Sequence, residues 1–281
     1  MKFILKIISI ILLISLSFGL EPNYGNLSTT IVKNIDLNYL LYIPEGYTPS
    51  EAWPLVLFLT GIEGSDDINF IRSVGLPALI EDGLEYDFFL VAPQLPENTH
   101  WDPDAIMALM DQLGDLYHID DAHLSVTGIG DIGGFGAWES SVSYPSTFSK
   151  IAPMGAPACT EICRIGSPSV KIFHGFLDDK VPVEDAENMF FELDYYCGND
   201  NLEITVYDSL AHNVWDHVYT DDQFLEWLTG SSPSYGANSS TPQSLTLSTT
   251  ISNSIADNYL LYLPVGYAES NSAWPLVIFL H

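Results

Sequence analysis

Seven short apolar runs, rich in β-branched and aromatic residues, constrain this 281-residue chain more than any other feature. They are "NYLLYIP" (38–44), "PLVLFLT" (54–60), "FFLVAP" (88–93), "HLSVTG" (123–128), "KIAPMG" (150–155), "VKIFHG" (170–175) and "LEITVY" (202–207). Between them lie stretches with helical spacing, among them "DPDAIMALMDQLGDLY", "VEDAENMFFELDYY" and "DDQFLEWLTG". In the first of these Asp102 is placed to cap a helix and Pro103 suits its first turn. Near-continuous apolar strands alternating with helices predict an α/β fold, a mostly parallel sheet covered on both faces. In such folds the chemistry gathers at the carboxyl ends of the strands.

The second constraint is repetition. "LSTTIVKNIDLNYLLYIPEGYTPSEAWPLVLFLT" begins at Leu27 and returns as "LSTTISNSIADNYLLYLPVGYAESNSAWPLVIFLH" from Leu247, an offset of 220 residues (247 − 27). The offset grows by one between Tyr267 and Trp274. Solenoid repeats are far shorter, so a unit of this length is a whole domain. The expected organisation is a domain over 20–230, a Ser/Pro/Gly linker over 231–246, and the start of a second, truncated copy over 247–281.

The first 20 residues, "MKFILKIISIILLISLSFGL", carry Lys2 and Lys6, an apolar run, and small residues at Ser17 and Gly19. This is the pattern of a signal peptide over 1–19, and it predicts a secreted or periplasmic protein free of the membrane after cleavage. The apolar core Ile7–Leu16 is short for a retained bilayer span. Export favours disulfides, and the close pair Cys159 and Cys163 is the expected one, leaving Cys197 as a small core residue. No cysteine or histidine spacing fits a metal site, so no metal is expected. Eight Lys+Arg against 37 Asp+Glu give a formal charge of −29, which repels phosphate backbones and excludes nucleic acid as a partner. The charge is read as a solubility feature.

Four strand ends carry suggestive residues. "TGIEGSDD" follows the second run as a turn whose N–H groups suit an oxyanion. "VKIF" leads into "HGFLDDKVP", with Asp178 four residues beyond His174, and "ITVYDSL" leads into "AHNVWDHVY", with His212. "HLSVTG" runs into "TGIGDIGGFGAW" (127–138), a strand–turn–helix corner of the kind that presents a nucleophile, yet it holds neither Ser nor Cys. The order corner, acid, histidine is the triad order of α/β-hydrolases.

From about 36 to 230 the chain resembles secreted α/β-hydrolase esterases of the "predicted peptidase" and polyhydroxybutyrate-depolymerase-like group. The residues that carry the likeness are "FLTG" (58–61), "APQLPENTHW" (92–101), "TGIGDIGGFGAW", "FHGFLDDKVP" (173–182) and "AHNVW" (211–215). The resemblance implies the α/β-hydrolase fold, ester hydrolysis by Ser-His-Asp chemistry without a cofactor, and an ester-bearing small molecule or polymer as substrate. It implies Asp178 as the acid, His212 as the base, and oxyanion N–H groups from Ile62 and from the residue after the nucleophile.

The nucleophile itself does not carry over. Aligned from the left, Gly130 stands where the family has Ser; aligned from the right, Asp131 does, with Ile132 then the second oxyanion donor. The stretch holds one residue more than the family pattern. Ser125 precedes the turn, and Ser140 and Ser141 lie well into the following helix. A carboxylate at Asp131 suits alkyl substrates, through an alkyl-enzyme ester, rather than attack on an ester carbonyl. The short link between "KIAPMG" and "VKIFHG" leaves no room for the cap domain such enzymes carry. The family's "FLHG" histidine is Thr60 here but His281 in the second copy. The second copy is therefore expected to be the active esterase, with the first its degenerate, binding or scaffolding partner in the same chain. An insertion or reading error across codons 128–134 is the remaining alternative.

The other candidates have simpler readings. His174 is expected to pack behind the Asp178 loop, while His100, His118, His123 and His217 are surface or half-buried residues. Asp66 and Asp67 read as a solvated loop. Tyr47, Trp101 and Trp215 suit either packing or a carbohydrate-binding floor.

Overall fold

The computed structural model describes residues 23–61, 67–95, 99–236, 241–262, 273 and 277. The leader over 1–19, Ile62 and His281 lie outside them, as does most of the second copy beyond residue 262. Among the described residues the main sheet has eight strands: β1 (Asn23–Tyr42), β2 (Trp53–Leu59), β4 (Phe89–Pro93), β5 (Ile119–Ile129), β6 (Lys150–Met154), β7 (Ser169–Gly175), β8 (Leu202–Tyr207) and β10 (Gln243–Leu261). Their order is β10-β1-β4-β2-β5-β6-β7-β8. All seven apolar runs therefore became strands. A two-stranded sheet pairs β3 (Leu84–Glu85) with β9 (Ser234–Tyr235), inside the stretch read as linker.

From β4 to β8 every neighbour is parallel, and β1 joins β4 antiparallel through Tyr39–Tyr42. The chain leaves β2 in one direction to make β4, then returns past β2 to make β5. The carboxyl ends of β2 and β5 thus diverge at a switch point, which is where ligands bind in open α/β sheets. The strands are apolar because helices cover both faces. Leu55, Val56, Leu57, Phe58 and Leu59 are almost wholly buried, each worth about 1.5–3 kcal/mol in transfer energy.

The helices start as their caps dictate. Asp102 accepts from the Asp104 N–H at the head of the helix Pro103–Leu116, and Asp221 does the same for Gln223 before the helix Asp222–Thr229. Gly230, left-handed at φ +83°, ends the latter. The third expected helix runs from Val183 to Phe191 and widens into a π-helical turn over Glu192–Tyr196.

The chain divides into two compact units, residues 34–249 and a second unit in which residues 23–33 and 250–261 are strand. The first holds the core, where Phe58 meets Tyr219, and Phe224 meets both Tyr219 and Phe173, edge-on. The Tyr219 hydroxyl, its pKa driven up by burial, shares a buried 2.7 Å hydrogen bond with Thr127 Oγ1 on β5.

The disulfide differs from expectation. Cys163 pairs with Cys197, and Cys159 is free and buried. Cys163 lies in a one-turn 3₁₀ helix (Ile162–Ile165) and Cys197 closes the π-helical turn, which brings their Cα atoms to 5.0 Å, within disulfide range. Burial, with Glu139 and Glu161 nearby, pushes the Cys159 thiol up to about 11.

Candidate active site

β5 ends at Ile129 and the helix Gly130–Ser143 begins at the next residue, with no side-chain cap. Gly130 has φ +73°, a conformation that costs any other L-residue about 1–2 kcal/mol and that a strand-to-helix nucleophile turn imposes. The helix can start so close to the sheet because Gly133 lacks a side chain: a Cβ there would strike the backbone of Leu59 and Thr60 at the end of β2. Gly-rich composition at this corner is therefore a packing requirement as well as a turn requirement.

His212 follows β8 and fixes the register of the corner. A Cβ built on Gly130 would lie 3.4 Å from His212 Nε2, and a hydroxyl one bond further can be turned into hydrogen-bond reach. The Gly130 Cβ position thus comes nearer to His212 Nε2 than the Asp131 carboxylate, whose Oδ1 is 3.9 Å away. Gly130, Asp131 and Ile132 all lie in the first turn of the helix. The Asp131 side chain is half-exposed, with Oδ1 3.9 Å from His212 Nε2.

Behind His212 lies Asp178. Nδ1 lies 2.7 Å from Asp178 Oδ2, the contact that orients an imidazole as general base. The Asp178 side chain is completely buried, and its Oδ1 accepts the N–H groups of Lys180 and Val181, each at 2.9 Å. Burial alone would raise this carboxyl; those N–H groups and the His212 ring together hold it below the usual carboxylate value. His174 is also buried. Its Nε2 donates to the Val181 carbonyl at 3.0 Å and lies 3.3 Å from Asp178 Oδ2, so it packs behind the acid loop as its position in the sequence implied.

The opposite wall is the turn after β2. Trp101 Nε1 donates to the Thr60 carbonyl at 3.1 Å, and Gly61 Cα stands 3.8 Å from the Gly130 Cβ position. Trp101 is therefore a buried tie on the turn after β2 rather than a binding floor. Trp215 meets the His212 ring edge-on at 5.4 Å and lines a cleft of about 340 Å³ with Gly61, Ile129, Gly130, Asp131, Lys180 and His212. Lys180 was not anticipated as a lining residue; only its two-residue distance from Asp178 hinted at it. Tyr47 packs edge-on against Trp53, Phe89 and Tyr117 and does not line this cleft. His100, His118, His123 and His217 are exposed and take no part in the cleft. Asp67 caps a short 3₁₀ turn by accepting from Asn69.

No protein-family model matches the sequence, and no curated protein is similar to it. Solved structures do share its architecture. A thermostable esterase superposes with a TM-score of 0.59 at 23% identity, over 72% of this chain and 62% of that one. S-formylglutathione hydrolase FrmB from Staphylococcus aureus gives 0.55 at 13%, over 72% and 99%. Esterase 2 of Thermogutta terrifontis, phosphorylated by paraoxon, gives 0.53 at 15%, over 71% and 94%. This chain thus spans less than two thirds of the thermostable esterase's own length. At these identities the likeness establishes the fold, which is that of the α/β-hydrolases.

Proposed function

We propose that the domain over 20–230 is an exported esterase-type α/β-hydrolase that keeps the acid–base half of a Ser-His-Asp site and has lost its nucleophile. The observation that carries this reading is the empty Gly130 position, 3.4 Å at Cβ from a His212 that Asp178 still orients. Its ligand class is a carboxylic ester, small or polymeric, held between the Thr60–Gly61 turn and the start of the elbow helix. Without a hydroxyl at Gly130 no acyl-enzyme forms there, and only slow attack by water assisted by His212 remains. The domain then serves as a binding partner for the second copy, which has His281 where this one has Thr60.

The test is p-nitrophenyl acetate hydrolysis by the full chain beside His212→Ala, Gly130→Ser and Gly130→Ser/His212→Ala. The wild type is expected to match His212→Ala, while Gly130→Ser gains at least about 10³-fold and loses it again in the double variant. The gain comes with about 1–2 kcal/mol lost to the left-handed turn. Wild-type turnover that His212→Ala abolishes would sink the reading. A second reading, Asp131 as nucleophile toward an alkyl halide or epoxide, draws on its 3.9 Å approach to His212. Residues 155–168 between β6 and β7 hold one short 3₁₀ turn and no cap domain, which weighs against it. An alkyl adduct on Asp131 by intact mass would favour it.

A further inference from the structure

The helix Val183–Phe191 and its π-helical extension Glu192–Tyr196 bury Ala186, Met189 and Leu193. These positions recur at helical spacing and give the segment its core face, so its solvent face should be polar. It carries instead Phe191, Tyr195 and Tyr196, which are 51%, 70% and 69% exposed. The three rings touch one another. Phe191 and Tyr195 stack, with centroids 5.3 Å and planes 7° apart. Tyr196 stands across both, at 87° and 5.7 Å from Phe191 and at 90° and 5.0 Å from Tyr195.

The widened turn assembles this cluster. In an α-helix residues four apart are neighbours, which joins Phe191 to Tyr195 but leaves a residue five apart to one side. Here the Cys197 N–H donates to the Glu192 carbonyl at 3.0 Å, a five-residue step, and Tyr196 swings in against Phe191. Such turns are rare and gather at functional sites. Cys197 is in turn bonded to Cys163, so the rings are anchored and a ligand has little left to order. Their surroundings are acidic: Glu184, Asp185, Glu187, Glu192 and Asp194 share the segment, and no Lys or Arg follows Lys180 in the sequence.

That combination selects a ligand. Polyanions are repelled by the carboxylates. Three rings at these exposures offer about 300–500 Å², well short of the roughly 800 Å² per partner of a stable protein interface. A sugar ring fits both limits: its C–H face packs flat on an aromatic ring, and its hydroxyls donate to carboxylates alongside. We propose that Phe191, Tyr195 and Tyr196 form a docking site for an uncharged polysaccharide, whose sugar rings seat on the tyrosine faces. None of the three lines the cleft at His212, so the site holds its polymer whether or not that cleft hydrolyses an ester.

Native affinity electrophoresis of the full chain tests it, in gels holding xylan, glucomannan or mixed-linkage β-glucan, with polygalacturonate as the charged comparison. At least one neutral polymer is expected to retard the wild type. Tyr195→Ala/Tyr196→Ala is expected to weaken that retention at least about tenfold. Tyr195→Trp keeps it, because a flat ring remains, and Tyr195→Leu does not. Both tyrosines are exposed, so the variants are expected to unfold in urea with the wild type; the Leu and Trp variants decide the matter should the double variant unfold. Retardation by none of the neutral polymers, or retention unchanged in Tyr195→Leu, would overturn the proposal. So would stronger retention by polygalacturonate, or a concentration-dependent dimer that the double variant abolishes, which would assign the rings to a protein contact.

Discussion

Asp178 carries its charge with no exposed surface, and the direction of its shift sets the acid behaviour of the site. Its carboxyl is held below the usual value in the folded chain, so the unfolded chain binds the proton more readily. The stability it contributes is fully present above about pH 3.9, the ordinary aspartate value, and is lost as the pH falls toward the folded one. In urea unfolding, Asp178→Asn is expected to be the weaker protein at pH 7, with the gap to wild type narrowing below pH 4. A gap that stayed constant down to pH 3 would show that the carboxylate charge is not what stabilises the loop. That Asp178 and His212 would meet was legible in the sequence, since each follows a strand end at family spacing. Which corner residue comes nearest to His212 was not, because one surplus residue between Gly128 and Gly133 leaves two registers open and the ring arrives from beyond β8, some 80 residues away.

At the scale of elements, the disulfide ties the turn after β6 to the end of the helix Val183–Phe191 and its π-helical extension, across a sequence separation of 34. Closing a loop of that size removes about 3–4 kcal/mol of unfolded-state entropy in the chain-entropy model. Cys197→Ser is expected to lose an amount of that order in urea unfolding, while Cys159→Ser loses much less and native Cys159 resists thiol reagents. Equal costs for the two would contradict the pairing. Three cysteines allow three pairings, and sequence proximity favoured the wrong one because the widened helical turn that brings Cys197 to Cys163 leaves no composition signal. The seven strands were legible for the opposite reason: a strand buried on both faces must be apolar along its length. β1 shows the limit of that rule. Its buried end, Tyr39–Tyr42, read plainly, but residues 23–38 carry no apolar run.

For the whole molecule, the same disulfide has a consequence for limited proteolysis. Cys163 and Cys197 bracket β7, the Asp178 loop and the exposed pair Phe176–Leu177. An aromatic-directed protease that cuts after Phe176 therefore leaves both pieces of the chain covalently joined. After brief chymotrypsin treatment, the piece that ends at Phe176 and the piece that begins at Leu177 are expected to stay joined without reductant and to separate with it; their separation without reductant would refute the bracket. A single cut beside the acid would then be survivable damage, and dismantling the site takes either a second cut or a reductant.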